Sequence, residues 1–114
     1  SHDLSTDSVV TLITKVIEKI QTESPRTKLY IQSLLPINES FGRYKTMTGK
    51  TDLIPEINRK LEALAKEKKI SFIHLFPLFT EKNSNVMRKE LTTDGLHLTE
   101  EGYRIWSKAL KRYL

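Results

Sequence analysis

The sequence predicts one α/β domain built around a parallel sheet. Three segments repeat apolar side chains every three or four residues, which is typical of amphipathic helices, and two short apolar segments between them suit buried strands. The order is helix, strand, helix, strand, helix. Strands that alternate with helices favour right-handed crossovers and a sheet with helices on both faces. With 114 residues, we expect residues 1–114 to form a single domain.

The first helix is predicted from about Ser8 to Glu23. Asp7 precedes it as the N-cap candidate, and Pro25 ends it because the residue before a proline is pushed out of helical geometry. One face of this helix is apolar and needs a surface that covers it. That face consists of Val9, Leu12, Ile13, Val16, Ile17 and Ile20.

Two further helices follow. One is predicted from about Asp52 to Lys69, with Pro55 in its first turn, where a missing N–H costs little. The last begins near Thr99, a good N-cap, and reaches about Tyr113. The predicted buried sides are Ile54, Ile57, Leu61, Leu64 and Ala65 in the earlier helix, and Tyr103, Ile105, Trp106, Ala109, Leu110 and Tyr113 in the last.

The two predicted strands run from Lys28 to Leu35 and from Ile70 to Phe76. Both are almost continuously apolar, as strands of a parallel sheet buried on both faces are. Gln32 and Ser33 in the first strand therefore need hydrogen-bond partners. Long loops at 36–50 and 77–93 follow the strands, a position that often lines binding sites. A sheet of two strands is too small to cover the apolar faces of three helices. We therefore expect the chain to be the second half of a larger α/β domain.

The charge pattern argues against a nucleic-acid binder. The chain has 19 Lys and Arg and 14 Asp and Glu, which gives a net charge of +5. These basic residues are spread along the chain with acidic residues among them, whereas a nucleic-acid surface gathers them on one face. The densest cluster, Lys66 to Lys69, falls at a predicted helix end, where cations interact favourably with the helix dipole. We therefore expect no nucleic-acid partner.

Composition also argues against several other classes of protein and of functional site. No apolar run approaches the ~20 residues of a membrane span, and no basic-then-apolar leader opens the sequence. Cysteine is absent, which excludes disulfides, thiolate catalysis and cysteine-ligated zinc. His74, Asp94 and His97 are the metal-ligand candidates, but no further His or Cys supports them. We expect no metal, no cofactor and no membrane span, and the compartment stays open.

The segment Asp94-Gly95-Leu96-His97 carries the clearest chemical signal. An Asp three residues before a His can share one turn of chain, so that its carboxylate accepts from one imidazole nitrogen and fixes the tautomer. The other imidazole nitrogen is then free as a general base. On these residues alone the alternative is a loop Asp that caps its own backbone beside an exposed His. For His74, a hydrogen-bonded core or edge position is the simpler interpretation.

Residues 93–103, TDGLHLTEEGY, resemble the closing block of the SGNH hydrolases, also called GDSL-type esterases and lipases. Residues 30–38, YIQSLLPIN, resemble the family segment that ends in a Leu-Pro-Val-Asn-like turn. Residues 57–61 resemble the helix that follows it, and residues 71–79 resemble the last strand. The resemblance extends from about Asp3 to Leu110.

The resemblance implies both a fold and residue roles. The fold is the C-terminal half of a flavodoxin-like, three-layer α/β/α domain with a parallel sheet. Asp94 and His97 would complete a Ser-His-Asp triad that hydrolyses esters. Asn38, Arg43 and Tyr44, in the loop after the first strand, would line the acyl or sugar pocket, with a plain surface loop as the equal alternative. The chain is similar to bacterial carbohydrate and sialate O-acetylesterases, so we expect a small ester substrate such as an acetylated sugar.

The resemblance also identifies parts that have no counterpart here. The family's Gly-Asp-Ser-Leu nucleophile block and its oxyanion-hole glycine block are absent. Its Gly-x-Asn-Asp block would align with the opening residues, where Asp3-Leu4-Ser5 matches but His2 stands at the Asn position. None of the nine serines, Ser33 and Ser40 included, sits in a nucleophile elbow. We expect a partial domain without the N-terminal nucleophile half, inactive by itself.

Two functions remain at this stage. The first is the C-terminal part of a serine esterase. The alternative is a non-catalytic α/β module that binds itself or a partner, because the predicted sheet has an unpaired edge and the helices have uncovered apolar faces. For the same reason we expect a homo-oligomer built on the first helix and the first strand.

Overall fold

The protein is a helix-rich α/β structure around a two-stranded parallel sheet. A computed structural model describes residues 6–114, so the Asp3-Leu4-Ser5 resemblance lies outside the described residues. The helices are α1 (Thr6–Glu23), α2 (Leu53–Lys68), α3 (Phe76–Phe79) and α4 (Glu100–Lys111), and the strands are β1 (Tyr30–Gln32) and β2 (Ser71–Ile73). The predicted fold class is confirmed, with Tyr30 paired to Ser71 and Gln32 to Ile73.

Helices cover both faces of the sheet. The alternation of side chains along β1 sends Tyr30 and Gln32 toward α4, where the Tyr30 hydroxyl donates to the Tyr113 carbonyl at 2.9 Å. The Trp106 indole N–H donates to Gln32 Oε1 at 2.8 Å. Helix α2 packs against both strands and against α1 on the other face. The result is a helix–sheet–helix arrangement in three layers.

Both strands are shorter than the sequence predicts, because side chains take over the backbone bonds where β1 ends. The Ser33 hydroxyl accepts from the N–H groups of Leu75 and Phe76 at 3.0 and 2.9 Å. The Asn58 side chain on α2 accepts from Leu34 N at 2.7 Å and donates to Leu34 O at 3.2 Å. These bonds give the Ser33 hydroxyl its predicted partners and turn the chain out of the sheet.

Two other element boundaries differ from the prediction. Helix α1 already includes Asp7, so Asp7 lies in the first turn and is not the N-cap; its carboxylate instead pairs with Lys60 Nζ at 2.7 Å. Phe76, predicted as the end of a strand, begins the short helix α3, in which Pro77 occupies a first-turn position that suits its fixed φ. Thr99 is the N-cap of α4 as predicted and accepts from Gly102 N at 3.2 Å.

The core lies between the sheet, α3 and α4. Its fully or almost fully buried side chains include Ile73, Leu75, Phe79, Met87 and Leu91. The predicted inner side of α4 packs against this cluster through Ile105, Trp106, Ala109, Leu110 and Tyr113. Tyr103, which shares that helical spacing, is instead exposed.

The loop at 36–50 is more ordered than its sequence indicates. It contains two short 3-10 turns, at Glu39–Phe41 and Lys45–Met47. The Glu39 carboxylate joins the two ends of the loop, because it accepts from Gly49 N at 2.8 Å, from Thr51 N at 3.1 Å and from the Thr51 hydroxyl. These bonds, with the Thr51 hydroxyl first, lower the pKa of Glu39. We call residues 39–51 the clasped loop.

One face of α1 stays largely uncovered. Leu12 and Val16 are 54% and 58% exposed, although both belong to the predicted apolar stripe. With Ile13, Ile17, Tyr30 and Ile31 they line an apolar groove of about 360 Å³ between α1 and β1. None of the helices within residues 6–114 has the length and apolar character that a membrane span requires.

We predict that the core depends strongly on α3. Phe79 is 0% exposed and Leu78, its neighbour on the same short helix, is 39% exposed. Phe79→Ala should lower the free energy of unfolding by about 3–5 kcal/mol, because it removes a buried ring and leaves a cavity. Leu78→Ala should cost about 1 kcal/mol or less. Urea denaturation of both variants measures this difference, and equal losses would contradict the placement of the core.

Candidate active site

A tight turn after the core residue Leu91 presents the Asp94 and His97 side chains. The buried Thr92 hydroxyl accepts from Gly95 N at 2.8 Å and donates to the His97 carbonyl at 2.7 Å. The Thr93 N–H donates to the same carbonyl at 3.1 Å. Thr92 thereby closes the turn from inside, and the pair lies directly before α4, as the sequence predicts.

Gly95 brings this turn against the loop that follows β1. Its φ is +95°, in the region that favours glycine, and its carbonyl accepts from Asn38 N at 2.9 Å. A Cβ at this position would collide with the Asn38 carbonyl oxygen. The glycine is therefore required both by its backbone conformation and by the close approach of the two loops.

Asp94 and His97 form the hydrogen-bonded pair that their spacing predicts. Asp94 Oδ2 lies 2.8 Å from His97 Nδ1. The other oxygen, Oδ1, accepts from the backbone N–H groups of Leu96 and His97 at 3.0 and 2.8 Å. The His97 side chain is 63% exposed and that of Asp94 is 19% exposed. The carboxylate is held inside the turn while the imidazole faces outward.

This geometry fixes where the proton of the pair lies. An ionised carboxylate is only an acceptor, so Nδ1 carries the hydrogen that the two groups share. In the neutral imidazole Nε2 then has no proton and an available lone pair. That is the arrangement of a general base whose tautomer is set by a carboxylate.

The surroundings of Asp94 keep its carboxyl group ionised. Its pKa lies well below the ordinary value of 3.8, chiefly because it accepts from the His97 backbone N–H and then from the His97 ring. Partial burial opposes this shift, and the bonds from Leu96 N and the Tyr44 hydroxyl add to it. Asp94 therefore remains negatively charged across the pH range in which proteins usually work.

The structure places the other three predicted site residues, Asn38, Arg43 and Tyr44, in different surroundings. Tyr44 reaches the pair, since its hydroxyl donates to Asp94 Oδ2 at 2.9 Å and its ring meets the His97 ring at 6.2 Å between centroids. The exposed Arg43 guanidinium lies over the Tyr44 ring, 5.6 Å from its centroid. Tyr44 therefore lies beside the imidazole, and Arg43 lies on the Tyr44 ring.

Asn38 differs, because its side chain is enclosed by protein and not placed where a substrate could contact it. It is 1% exposed, its amide donates to the Met87 carbonyl at 2.8 Å, and its oxygen accepts from Ser40. Together with its backbone bond to Gly95, these contacts make Asn38 a support between the core and the two loops.

An open groove lies next to the imidazole on the α4 side of the sheet. It measures about 430 Å³ and is mostly apolar. We call it the His97 groove; it is lined by Leu34, Leu35, Leu96, His97, Tyr103 and Trp106, with further contributions from Gln32, Ser33, Leu75 and Leu98. The exposed Tyr103 side chain therefore borders the candidate site.

A comparison with protein families shows which family the chain belongs to. The model of the GDSL-like lipase/acylhydrolase family matches residues 1–105. The chain belongs to this family. No protein with a curated description matches it significantly.

Several solved structures share the fold. A Streptococcus pneumonia protein described as a candidate platelet activating factor has a TM-score of 0.86 at 29% identity and matches 98% of this chain. A GDSL-like lipase from Bacteroides thetaiotaomicron has a TM-score of 0.80 at 23% identity over 96% of the chain. The esterase domain of a zebrafish retrotransposon ORF1 protein has a TM-score of 0.77 at 23% identity over 98%.

The match covers only part of those structures. The chain spans 53% of the streptococcal protein, 52% of the Bacteroides lipase and 60% of the zebrafish domain. It is thus about half the length of these solved structures.

Other polar candidates are engaged elsewhere. The Ser33 hydroxyl accepts from two backbone N–H groups behind β2, and the Ser40 hydroxyl donates to Asn38. His74 lies 3.2 Å from Glu62 on α2 and packs against the Phe72 ring. Among residues 6–114, no three His, Asp or Glu side chains gather as a metal site.

Thr92 was not among the predicted site residues, and the role predicted for Tyr44 was contact with a substrate and not a bond to Asp94. Thr92 closes the turn, and a Thr two residues before an Asp-Gly pair is a recognisable signal for a side chain that bonds its own turn. Nothing local indicates the bond from Tyr44 to Asp94, because fifty residues separate the two positions.

We predict an acid-dependent loss of stability through Asp94. Because the folded-state pKa is depressed, its contribution is fully present above the ordinary carboxyl pKa and is lost as the pH falls below it. Asp94→Asn should therefore destabilise the protein at about pH 5 and much less at about pH 2. Urea midpoints of both proteins at the two pH values test this. A difference that does not shrink at acidic pH would contradict the ionised, multiply bonded carboxylate.

Proposed function

We propose that this chain supplies the histidine and aspartate of a Ser-His-Asp ester hydrolase. The single observation that supports this proposal most is the Asp94–His97 pair, with a 2.8 Å bond at Nδ1 and an outward-facing imidazole beside an open groove. Membership of the GDSL-like lipase/acylhydrolase family supports the same reaction class.

In this proposal each residue has a defined role. His97 Nε2 takes the proton of a serine hydroxyl as that oxygen attacks the ester carbonyl, and it then gives the proton to the leaving alkoxide. A water molecule then attacks the acyl-enzyme with His97 as its base, and the acid is released as the proton returns to the serine oxygen. Asp94 stays ionised, orients the ring through Nδ1 and stabilises the imidazolium that forms in both steps.

The serine and the oxyanion donors would come from outside this chain. Ser33 and Ser40 are occupied by bonds within the protein, and no Gly-Asp-Ser segment is present. The His97 groove runs beside β1, on which no further strand is placed within residues 6–114. A nucleophile-bearing segment seated along this groove would bring its serine to the imidazole. The chain alone should then be inactive.

For the substrate we propose a small ester such as an acetylated sugar. Tyr44, beside the imidazole, and Arg43, on the Tyr44 ring, would contact the part of the substrate that carries the hydroxyl groups, because neither residue lines the apolar groove. An arginine supplies several hydrogen-bond donors and a tyrosine supplies an aromatic face, a combination that suits a polar ring.

An esterase assay on two forms of the protein tests the reaction. The 114-residue chain alone should hydrolyse p-nitrophenyl acetate no faster than buffer does. A fusion of the chain behind the N-terminal half of an active GDSL-type esterase should hydrolyse it. In that fusion, His97→Ala should lower kcat/KM by at least about 10³-fold, because the general base is lost.

His74→Ala is the matched control, since it removes the other described histidine at a surface pair with Glu62. It should leave the fusion's kcat/KM within about threefold of the parent, as an exposed side chain remote from the chemistry does. An active fusion that tolerates His97→Ala would contradict the proposed base. Turnover by the chain alone that depends on His97 would contradict the missing nucleophile.

A second candidate function is self-association as a non-catalytic module. It is favoured by the groove between α1 and β1, in which Leu12 and Val16 remain exposed. Apolar surface of this kind is stabilised when a second copy covers it, and a strand with one open edge favours edge-to-edge contact. We therefore propose a homodimer built on α1 and β1.

We predict that this dimer depends on Val16. Val16→Glu places a charge in the groove and should shift the chain from dimer to monomer at micromolar concentration, as measured by light scattering across a dilution series. Lys15→Glu is the control, because it introduces the same carboxylate at the adjacent exposed position on α1, where it reverses an existing charge, and it should leave the dimer intact. A parent chain that is already a folded monomer would contradict the assembly.

A further inference from the structure

Tyr44 shares one carboxylate oxygen with the imidazole. Asp94 Oδ1 is held by two backbone N–H groups of its own turn. Oδ2 accepts both from His97 Nδ1, at 2.8 Å, and from the Tyr44 hydroxyl, at 2.9 Å. The backbone bonds already fix how the carboxylate is oriented, so the phenol is not needed to hold it in place.

We propose that Tyr44 is a positioning residue that limits how strongly Asp94 binds His97. Two donors on one oxygen compete for the same negative charge, so the phenol weakens the bond from the carboxylate to the imidazole. Tyr44 acts through Asp94 and needs no contact with a substrate in this role.

The charges around Tyr44 keep it able to donate. The hydrogen bond to Asp94 raises the pKa of the phenol above 10, its ordinary value, and partial burial and the negative charge of Asp94 act in the same direction. Arg43, stacked on the ring, opposes the shift. Tyr44 therefore keeps its proton at neutral pH, where Asp94 is ionised.

Through this role the clasped loop influences proton transfer by His97, and this part of the inference rests on the proposed function. A general base must take a proton and release it again within one turnover. A carboxylate that held the imidazolium too tightly would slow the release. By sharing Oδ2, Tyr44 sets that balance from a loop that lies about half the chain away in sequence.

The imidazole nitrogens of His97 provide the test. In the ¹⁵N-labelled chain at a pH where the imidazole is neutral, multiple-bond ¹H–¹⁵N correlation reports the Nδ1 and Nε2 shifts separately. In Tyr44→Phe, the His97 Nδ1 resonance should move downfield, because Oδ2 loses its second donor and pulls the Nδ1 hydrogen more strongly.

Tyr30→Phe is the matched control. It also removes a phenol hydrogen bond, to the Tyr113 carbonyl, but this bond lies on the sheet and not at the pair. It should leave the His97 shifts unchanged, and the His74 resonances serve as an internal reference in both variants. A His97 Nδ1 resonance that stays in place or moves upfield in Tyr44→Phe would overturn the proposal.

A reciprocal measurement leaves Tyr44 itself intact. With ¹³C at the ζ position of tyrosine, the titration of Tyr44 should begin at lower pH in Asp94→Asn than in the parent, because the group that raises its pKa has lost its charge. An identical Tyr44 titration in both proteins would overturn the proposal even if Tyr44→Phe did not fold. Neither measurement follows ester hydrolysis, so a failure here leaves the proposed reaction standing, and the reverse also holds.

Discussion

The hydrogen bonds of the Asp94 carboxylate hold together the turn and the loop that form the candidate site. The carboxylate accepts from two backbone N–H groups, an imidazole and a phenol. A buried or half-buried carboxylate is stable as an anion only when its lone pairs find donors. The turn at 92–98 and the loop after β1 must therefore both be in place before the charge is satisfied, and Asn38 joins them through Gly95 and Met87.

The features that could be predicted from sequence are those encoded over short distances. The apolar spacing of the helices, the Thr99 cap and the Asp-x-x-His turn each depend on neighbours within one or two turns of chain, and the structure contains all three. The length of the strands depends instead on Ser33 and Asn58, whose side chains replace sheet bonds. Their partners, Leu75 and Leu34, lie 42 and 24 residues away.

The site residues follow the same rule. Asn38 has the polarity of a pocket residue, but its burial is decided by Met87, a contact that no local pattern reveals. The positions of Tyr44 beside the imidazole and of Arg43 on the Tyr44 ring are set by the clasped loop as a whole. Which apolar side chains are exposed is also decided at long range: both apolar grooves border β1, which pairs only with β2 within residues 6–114.

The clasp at Glu39 has a consequence for how relatives of this chain can diversify. Because Glu39 bonds to Gly49 and Thr51, the two ends of the loop are joined to each other by bonds that do not involve the residues between Glu39 and Gly49. Insertions or replacements inside such a closed segment cost little entropy. Relatives can therefore differ in the residues of this segment, and such a change alters both the surface beside the imidazole and the hydroxyl group that faces Asp94.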